Sequence, residues 1–410
     1  MEGDRPRTGV PAASRWVVSQ ELHFFYCGNG DTILARAGND WGLIDCNLTK
    51  SSAARHRLLD VLDRNQVQRL RFACVTHYDA DHLRGMAGLL RERFSADYGD
   101  NTGRRRWLID QIIQPMAAKD ILRALALMKQ VVARIDESKV ELDFSAEALE
   151  LFDLIKQMLL DGKGLPREER VYMPPYPAPS FLASAPPSSG GALFGPFEVC
   201  FLAPEQTTSD EFEADRFFPV YKELMNDPDA LRHRIADNRV SRVIVFRHVD
   251  TREAALFCAD APRECWPQIM QRWNEIRAFG LRSGEVPHWS KFDVIKVSHH
   301  GAEDSHYPPL FSDWVAREKT IAVVSCLSED AKHPHPTVWK ALRESGVRIE
   351  ATGTLRHSKA PAHKGPLPGG RPVRPAPEAA DICVCFGDAG LTVTRSAAIA
   401  KPPSALPLPA

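Results

Sequence analysis

The chain has 410 residues, with 52 Lys and Arg against 53 Asp and Glu and a formal net charge of −1; 44% of residues are apolar and 26% are charged. That balance describes a folded globular protein and excludes a collagen-like, wholly disordered or wholly basic chain, while leaving room for a local basic cleft. No stretch reaches the roughly 18 uninterrupted apolar residues of a membrane helix, and Met1 to Gln20, with Asp4, Pro6 and Pro11, lacks the apolar core of a secretory leader.

In chain order, residues 1–20 read as a loose N-terminal arm. Short apolar runs then alternate with Gly/Asn/Asp turns: Leu22 to Cys27, a turn at Gly28-Asn29-Gly30-Asp31, a strand to Ala37, a turn at Gly38-Asn39-Asp40, and Trp41 to Cys46. This pattern predicts a β-meander. Ser51 to Asp63 has helical spacing at Leu58, Leu59 and Leu62, Arg71 to Val75 is a buried-type strand, and Leu83 to Phe94 reads as a helix. Trp107 to Ile113 reads as a strand, and Ala117 to Ile135 and Ser145 to Leu160 as amphipathic helices. Val171 to Gly191 is too rich in Pro and Ser for a ladder or a helix, so residues 98–192 are expected to be an insertion.

Strand-type segments return at Phe197 to Leu202, Val240 to Phe246 and Ala254 to Cys258, followed by a helix over Pro262 to Phe279. Val294 to Val297, Ile321 to Ser325 and Val347 to Ala351 are further strands, with a helix at Thr337 to Ser345. A second Pro-rich loop spans Ala360 to Pro377, Asp381 to Phe386 and Leu391 to Thr394 predict a closing hairpin, and 397–410 reads as a tail. The nine cysteines are scattered, with Cys27, Cys74, Cys200 and Cys258 in strand-like runs and no Cys-x-x-Cys pair. They predict reduced, buried thiols in a cytoplasmic protein.

The strongest chemical signal is Thr76-His77-Tyr78-Asp79-Ala80-Asp81-His82-Leu83-Arg84-Gly85. Four ligand-type side chains fall between a buried strand and a helix. His77 and Asp79 are two apart, so an extended backbone points both to one side, and Asp81 and His82 enter the turn. Imidazole with carboxylate suits Zn²⁺, Mn²⁺ or Fe. Ser298-His299-His300-Gly301 follows another apolar strand, and Asp260 ends a third. Taken alone, the paired histidines are ambiguous and Asp260 reads as a helix cap before Pro262.

Together these strand-end groups resemble the metallo-β-lactamase superfamily. The resemblance lies in the order of Gly28-x-Gly30-Asp31, Leu43-Ile44-Asp45, Thr76-His-x-Asp-x-Asp-His-x-x-Gly85, Ala259-Asp260 and His299-His300-Gly301. Within it the chain is most similar to soluble proteins resembling the hydrolase domain of ComEC-type competence proteins, through Asn238-x-x-Ser241-x-Val243, Lys296 in its strand and His333-Pro334 before a helix. The match covers residues 22–90 and 195–355 and, loosely, the end hairpin.

The resemblance implies an α/β fold, a four-layer αββα sandwich with a mainly helical insertion, its hydrolase domain formed by residues 21–97 and 193–396. It implies one or two divalent metal ions, zinc or manganese. His77 and Asp79 would belong to the first metal position, Asp81, His82 and His299 to the second, and Asp260 would bridge them, with His300 sharing the role of its neighbour. Asp79 stands where the family carries a histidine, which shifts preference from zinc towards harder cations. Phe201-Leu-Ala-Pro204 occupies the place of a further ligand histidine, and His233, the only histidine between residues 83 and 247, reads as surface.

The expected chemistry is hydrolysis by metal-activated water, with Asp81, His333 and Lys296 as catalytic residues and Arg84, Asn238 and Ser241 as substrate-binding residues. The ComEC resemblance points to phosphodiesters, nucleic acid included. Two other readings stand beside it: hydrolysis of another ester class (lactone, thioester or small phosphoester), and a degenerate, non-enzymatic scaffold whose insertion docks a partner. Lys296 can meet a phosphate or pair with Asp293 or Glu303, and Arg104-Arg105-Arg106 is a solvated cluster or a phosphate patch. Trp266, Trp273, Trp289 and Trp314 read as core rather than as a stacking surface for single strands.

Overall fold

The computed structural model describes residues 20–49, 52–99, 103–115, 123, 125–126, 146–161, 180–181, 193–204, 206–211, 213–214, 218–219, 238–248, 251, 253–279, 291–326, 332–353, 379–386 and 390–397. The expected arm and tail (apart from Gln20 and Ala397), nearly all of Ala117 to Ile135, most of both Pro-rich stretches, His233 and Trp289 lie outside the described residues.

The fold is α/β. Alternating apolar residues build the predicted meander: β1 (Gln20–Phe24), β2 (Ile33–Ala37) and β3 (Asp40–Ile44) pair antiparallel. Helix α1 (Ala53–Arg64), capped by Ser52, leads to β4 (Phe72–Cys74), which lies parallel to β3. The helix expected over Leu83 to Phe94 is two helices, α2 (Ala80–Leu83) and α3 (Met86–Arg93). Gly85 breaks them: its φ is +79°, and a Cβ there would lie 1.7 Å from the Leu48 carbonyl oxygen. Only glycine accepts both conditions.

The stretch expected to be one strand is two pieces, β6 (Arg105–Trp107), which pairs with β5 (Ser95–Asp97), and β7 (Ile112–Ile113), which lies parallel to β4. Helix α4 (Ala146–Asp161) buries Leu151, Phe152 and Ile155 in the same apolar cluster as Leu58 of α1 and Leu89 of α3. Within residues 98–192, β7 thus joins the first sheet and α4 packs against the helices beside it. The predicted strand over Trp107 to Ile113 keeps only its ends, because a two-residue parallel strand is fixed by distant partners, not by local pattern.

The second sheet contains β8 (Ser180–Phe181), β9 (Leu193–Phe194), β10 (Phe197–Phe201), β11 (Ile244–His248), β12 (Ala254–Phe257), β13 (Val294–Lys296), β14 (Ile321–Val324) and β15 (Arg348–Ala351). Strands β12 to β15 run parallel. Beyond the short helix α5 (Gln206–Glu211), Asn238–Val240 forms a 3₁₀ turn where the sequence predicts the start of a strand. The helices α6 (Trp266–Phe279), α7 (Pro308–Asp313) and α8 (Pro336–Ser345) pack on this sheet through Trp266, Trp273, Leu310, Val338 and Leu342. Trp266, Trp273 and Trp314 are buried core residues, as their spacing predicts. The closing hairpin is β16 (Ala380–Phe386) and β17 (Thr392–Ala397), added to the first sheet alongside β1.

The sheets share a further core of Phe24, Phe72 and Ile382 from one and Phe246, Phe257 and Val294 from the other. Phe24 stacks on Phe257, and Phe72 meets Phe246 edge to face. All nine cysteines are free thiols, five buried and four half-buried. Among the described residues no helix is long and apolar enough to cross a membrane.

Candidate metal centre

Carboxyl ends of parallel strands gather loops, and ligand sites form there in α/β sheets. Here β3 leads to Asp45, β4 to His77, β12 to Asp260, β13 to His299 and His300, and β14 to Ser325. The backbone is bent to suit: of the six non-glycine residues with positive φ among the described residues, four are Asp45 (55°), Ala259 (46°), His299 (45°) and His300 (53°). Strain of this kind persists where the surroundings over-determine it, commonly at functional sites.

Asp45 organises the centre from behind. One carboxylate oxygen accepts from the Thr76 backbone N–H at 2.7 Å. The other accepts from the Thr76 hydroxyl at 2.7 Å and from His82 Nδ1 at 2.7 Å. With its proton committed to Asp45, the Thr76 oxygen accepts from His77 Nδ1 at 3.0 Å. His300 Nδ1 donates to the Ser325 carbonyl at 3.0 Å. These acceptors place the proton of all three imidazoles on Nδ1 and leave Nε2 as a lone pair facing inward, as for metal-ligating histidines.

Those nitrogens face three carboxylates. Asp260 Oδ2 is 3.7 Å from His77 Nε2, 3.4 Å from His82 Nε2 and 3.8 Å from His299 Nε2. Asp81 Oδ2 is 3.5 Å from His300 Nε2 and 4.0 Å from His82 Nε2, and Asp79 Oδ2 is 3.8 Å from His77 Nε2. The Nε2 atoms of His77, His82 and His300 and Asp260 Oδ1 are buried without an ordinary hydrogen bond. The spacing is too long for N–H···O bonds. It suits ligands around a shared cation, since metal–ligand bonds near 2.05 Å give tetrahedral edges of about 3.4 Å. The residues present thus fit a divalent metal, with His77, His82 and Asp260 as one buried group and Asp81, His82 and His300 as another.

The electrostatics ask for the same thing. Burial pushes Asp260 up, yet the neighbouring His82, His300 and His77 hold it well below the usual carboxylate range; Asp81 is likewise held down, against burial, by His82 and His300. Burial opposes a charge on His82, but Asp260, Asp45 and Asp81 raise it well above its ordinary value. His77 is pushed down by burial and by His82. Three carboxylates thus favour positive charge beside His82, the charge that a cation on its Nε2 would supply.

The remaining predicted residues divide. His299 Nδ1 faces Asp304 and Ser305 at 3.3 Å, and its side chain is 22% exposed, so it closes the centre on the solvent side. His333 stands beside the histidine pair, its ring centroid 6.0 Å from that of His299 and 6.3 Å from that of His300. Asn238 and Ser241 lie on a turn that Arg242 N ties to the Thr76 carbonyl at 2.9 Å, bringing it against the centre. Arg84 is 43% exposed and engages Glu147 and Asn47, each at 3.5 Å. Arg104 and Arg105 donate to Asp161 and Ser95, which anchors part of the basic cluster to its own surroundings.

Lys296 departs from both expected roles. It forms an ion pair with Asp31, and both side chains are only 1% exposed. Asp293 instead accepts from the Ala254 N–H at 2.9 Å. Burial works against the Lys296 charge, but Asp31 and Asp260 raise its affinity for the proton. Fully enclosed and neutralised, Lys296 does not reach a solvent phosphate; it braces the Asp31 loop against β13. That loop is seated by Gly30, where a Cβ would fall 2.5 Å from the Asp81 carbonyl oxygen. Asp45 and Asp31 are the site residues whose roles sequence reasoning missed, although both lie in quoted motifs.

No family model matches the chain, and no curated protein does. Among solved structures, a protein of unknown function from Enterococcus faecalis V583 is similar at a TM-score of 0.30 and 8% identity, over 82% of this chain and 77% of that chain. A likeness at that level carries no assignment.

Proposed function

We propose that this chain is a metal-dependent hydrolase with a four-layer αββα architecture of the metallo-β-lactamase type, acting on phosphodiesters. The observation that carries the metal is the convergence of buried Nε2 atoms on Asp260 and Asp81, each imidazole proton being fixed on the far side. The choice of phosphodiesters rests on the ordered motifs shared with ComEC-type hydrolase domains.

His77, Asp79, Asp81, His82, Asp260, His299 and His300 would hold one or two ions, zinc or manganese. A bound ion would supply polarisation of the phosphoryl oxygen and activation of the attacking water. Asp45 keeps His82 directly, and His77 through Thr76, in the ligating tautomer. Asp81, one-third exposed at the mouth, orients the water and takes its proton on Oδ2 as the new P–O bond forms. His333 gives a proton to the leaving oxygen as the old P–O bond breaks.

The test is hydrolysis of a chromogenic phosphodiester by metal-stripped protein, with Mn²⁺ and Zn²⁺ added back, beside Asp81→Ala. Activity is expected to return with metal and to be absent from the variant. Metal uptake without hydrolysis overturns the phosphodiester assignment in favour of another ester class, and no metal uptake overturns the centre itself.

A further inference from the structure

A second group of ligand-type side chains lies away from these strand ends, on the sheet face opposite the shared core. Strands β1 and β16 pair with Glu21 opposite Cys385 and His23 opposite Cys383. Leu22, Phe24, Ile382 and Val384 point into the core between the sheets, so strand alternation puts Glu21, His23, Cys383 and Cys385 together on the other face. All four are half-buried.

Their atoms meet closely. The Cys383 and Cys385 sulfurs are 3.6 Å apart, Cys383 Sγ is 3.9 Å from His23 Nε2, and His23 Nε2 is 2.8 Å from Glu21 Oε2. The ligand atoms of Glu21, His23 and Cys383 lie within reach of a shared ion, which would replace the Glu21–His23 hydrogen bond. A zinc–sulfur bond of about 2.3 Å implies tetrahedral S···S edges of about 3.8 Å, close to the observed separation. A disulfide needs about 2.05 Å between the sulfurs, whereas side chains two apart on one strand stand side by side.

The surroundings hold the group in place. Arg36 Nη1 engages the other Glu21 oxygen at 3.5 Å while its guanidinium lies over the Trp41 ring, which also stacks on His23. Thr392 and Thr394 of β17 stand opposite Cys385 and Cys383 in the ladder. A held carboxylate and a stacked imidazole are outer supports that orient ligands around an ion.

We propose that Cys383, Cys385, His23 and Glu21 form a second metal site, separate from the histidine–carboxylate centre and selective for a thiophilic cation of the zinc type. Two thiolates and an imidazole prefer such an ion to magnesium or calcium. Each thiol loses its proton to solvent as the cation binds, and no redox partner is needed.

Cobalt reports this directly, because thiolate ligation gives an intense near-ultraviolet charge-transfer band that imidazole and carboxylate ligands do not. The full chain, reduced and metal-stripped, is titrated with Co²⁺. The band is expected in the wild type, retained in Asp260→Ala, which cripples the first centre, and lost in Cys383→Ser/Cys385→Ser. Zinc content of the double variant is expected to fall by one per chain. Absence of the band from the wild type overturns the proposal without reference to any variant. So does persistence of the band in the double variant.

Discussion

The two ligand clusters are built by opposite means. The histidine–carboxylate centre collects its members from the ends of β3, β4, β12, β13 and β14, and requires left-handed backbone at Asp45, Ala259, His299 and His300. The cysteine cluster takes its four from two neighbouring strands, where register alone aligns them, and none of the four has a positive φ. Strained residues cost about 1–3 kcal/mol each, so the first centre is a destabilised region held by the rest of the fold. Ends of many strands bring distant residues around one point and orient them from behind. A pleated face offers ligands without strain, but only those that alternation supplies.

The largest effect that separates the two is expected from Asp260→Ala. It removes the carboxylate shared by three imidazoles, so hydrolysis should fall to background and metal content should drop at that centre alone. Element analysis with the phosphodiester assay checks this; full activity in the variant would remove Asp260 from the machinery.

Next in size is the Asp31–Lys296 pair, which braces the first centre and has no counterpart at the second. Losing one partner of a buried pair leaves the other charge uncompensated and costs about 3–5 kcal/mol, whereas replacing both with neutral groups is often tolerated. Lys296→Met should therefore unfold at much lower urea than Asp31→Asn/Lys296→Met. The pH dependence follows from the shifts. Asp31 is pushed up by burial but held below its ordinary 3.8 by Lys296, so its contribution is present above that pH and lost as pH falls through its lower folded value. Lys296 is raised above 10.5, so its contribution is full below that pH and lost as pH rises through its folded value. Stability of the wild type relative to the double variant should form a plateau between these limits; a flat difference across both would show that the pair is not ionised.

Much of the first cluster was legible because its ligand-type residues fall at strand ends: the His77 to His82 run, Asp260, and the adjacent His299 and His300. The meander and the closing hairpin were legible from alternation. The orienting role of Asp45 was not, because it depends on a contact with His82 37 positions away, and an Asp after a strand looks like any turn residue. Lys296 was misread because its partner comes from the opposite sheet. The split at Gly85 is set by the Leu48 carbonyl, and β7 by a parallel neighbour, both outside any local window. Cys383 and His23 are 360 positions apart, and only the β1–β16 register joins them.

Asp45→Asn tests the orienting relay with a smaller expected loss. The amide keeps the shape but removes a carboxylate oxygen that accepts from both Thr76 and His82, so His82 loses the partner that fixes its tautomer. Changes to such outer partners weaken metal binding by about 10–100-fold. Competition with a chromophoric chelator measures it. An affinity within twofold of wild type would mean that the imidazoles keep their tautomers without Asp45.

The smallest effect is expected from Cys383→Ser/Cys385→Ser. The pair is half-buried on a face that the first centre does not use, and serine nearly preserves the volume. Metal-free stability should change by no more than about 0.5 kcal/mol, and the proposed hydrolysis by the metal-loaded protein should be unchanged. Zinc should still alter the outcome: it should raise the melting temperature of Asp260→Ala through the cysteine site, by the linkage that stabilises any fold binding a ligand only when native. Adding the two serines to that variant should abolish the zinc-dependent rise. If hydrolysis falls with the serine pair while the fold stays intact, the two clusters are coupled through the first sheet, and strand register helps to set the strained loops at its end.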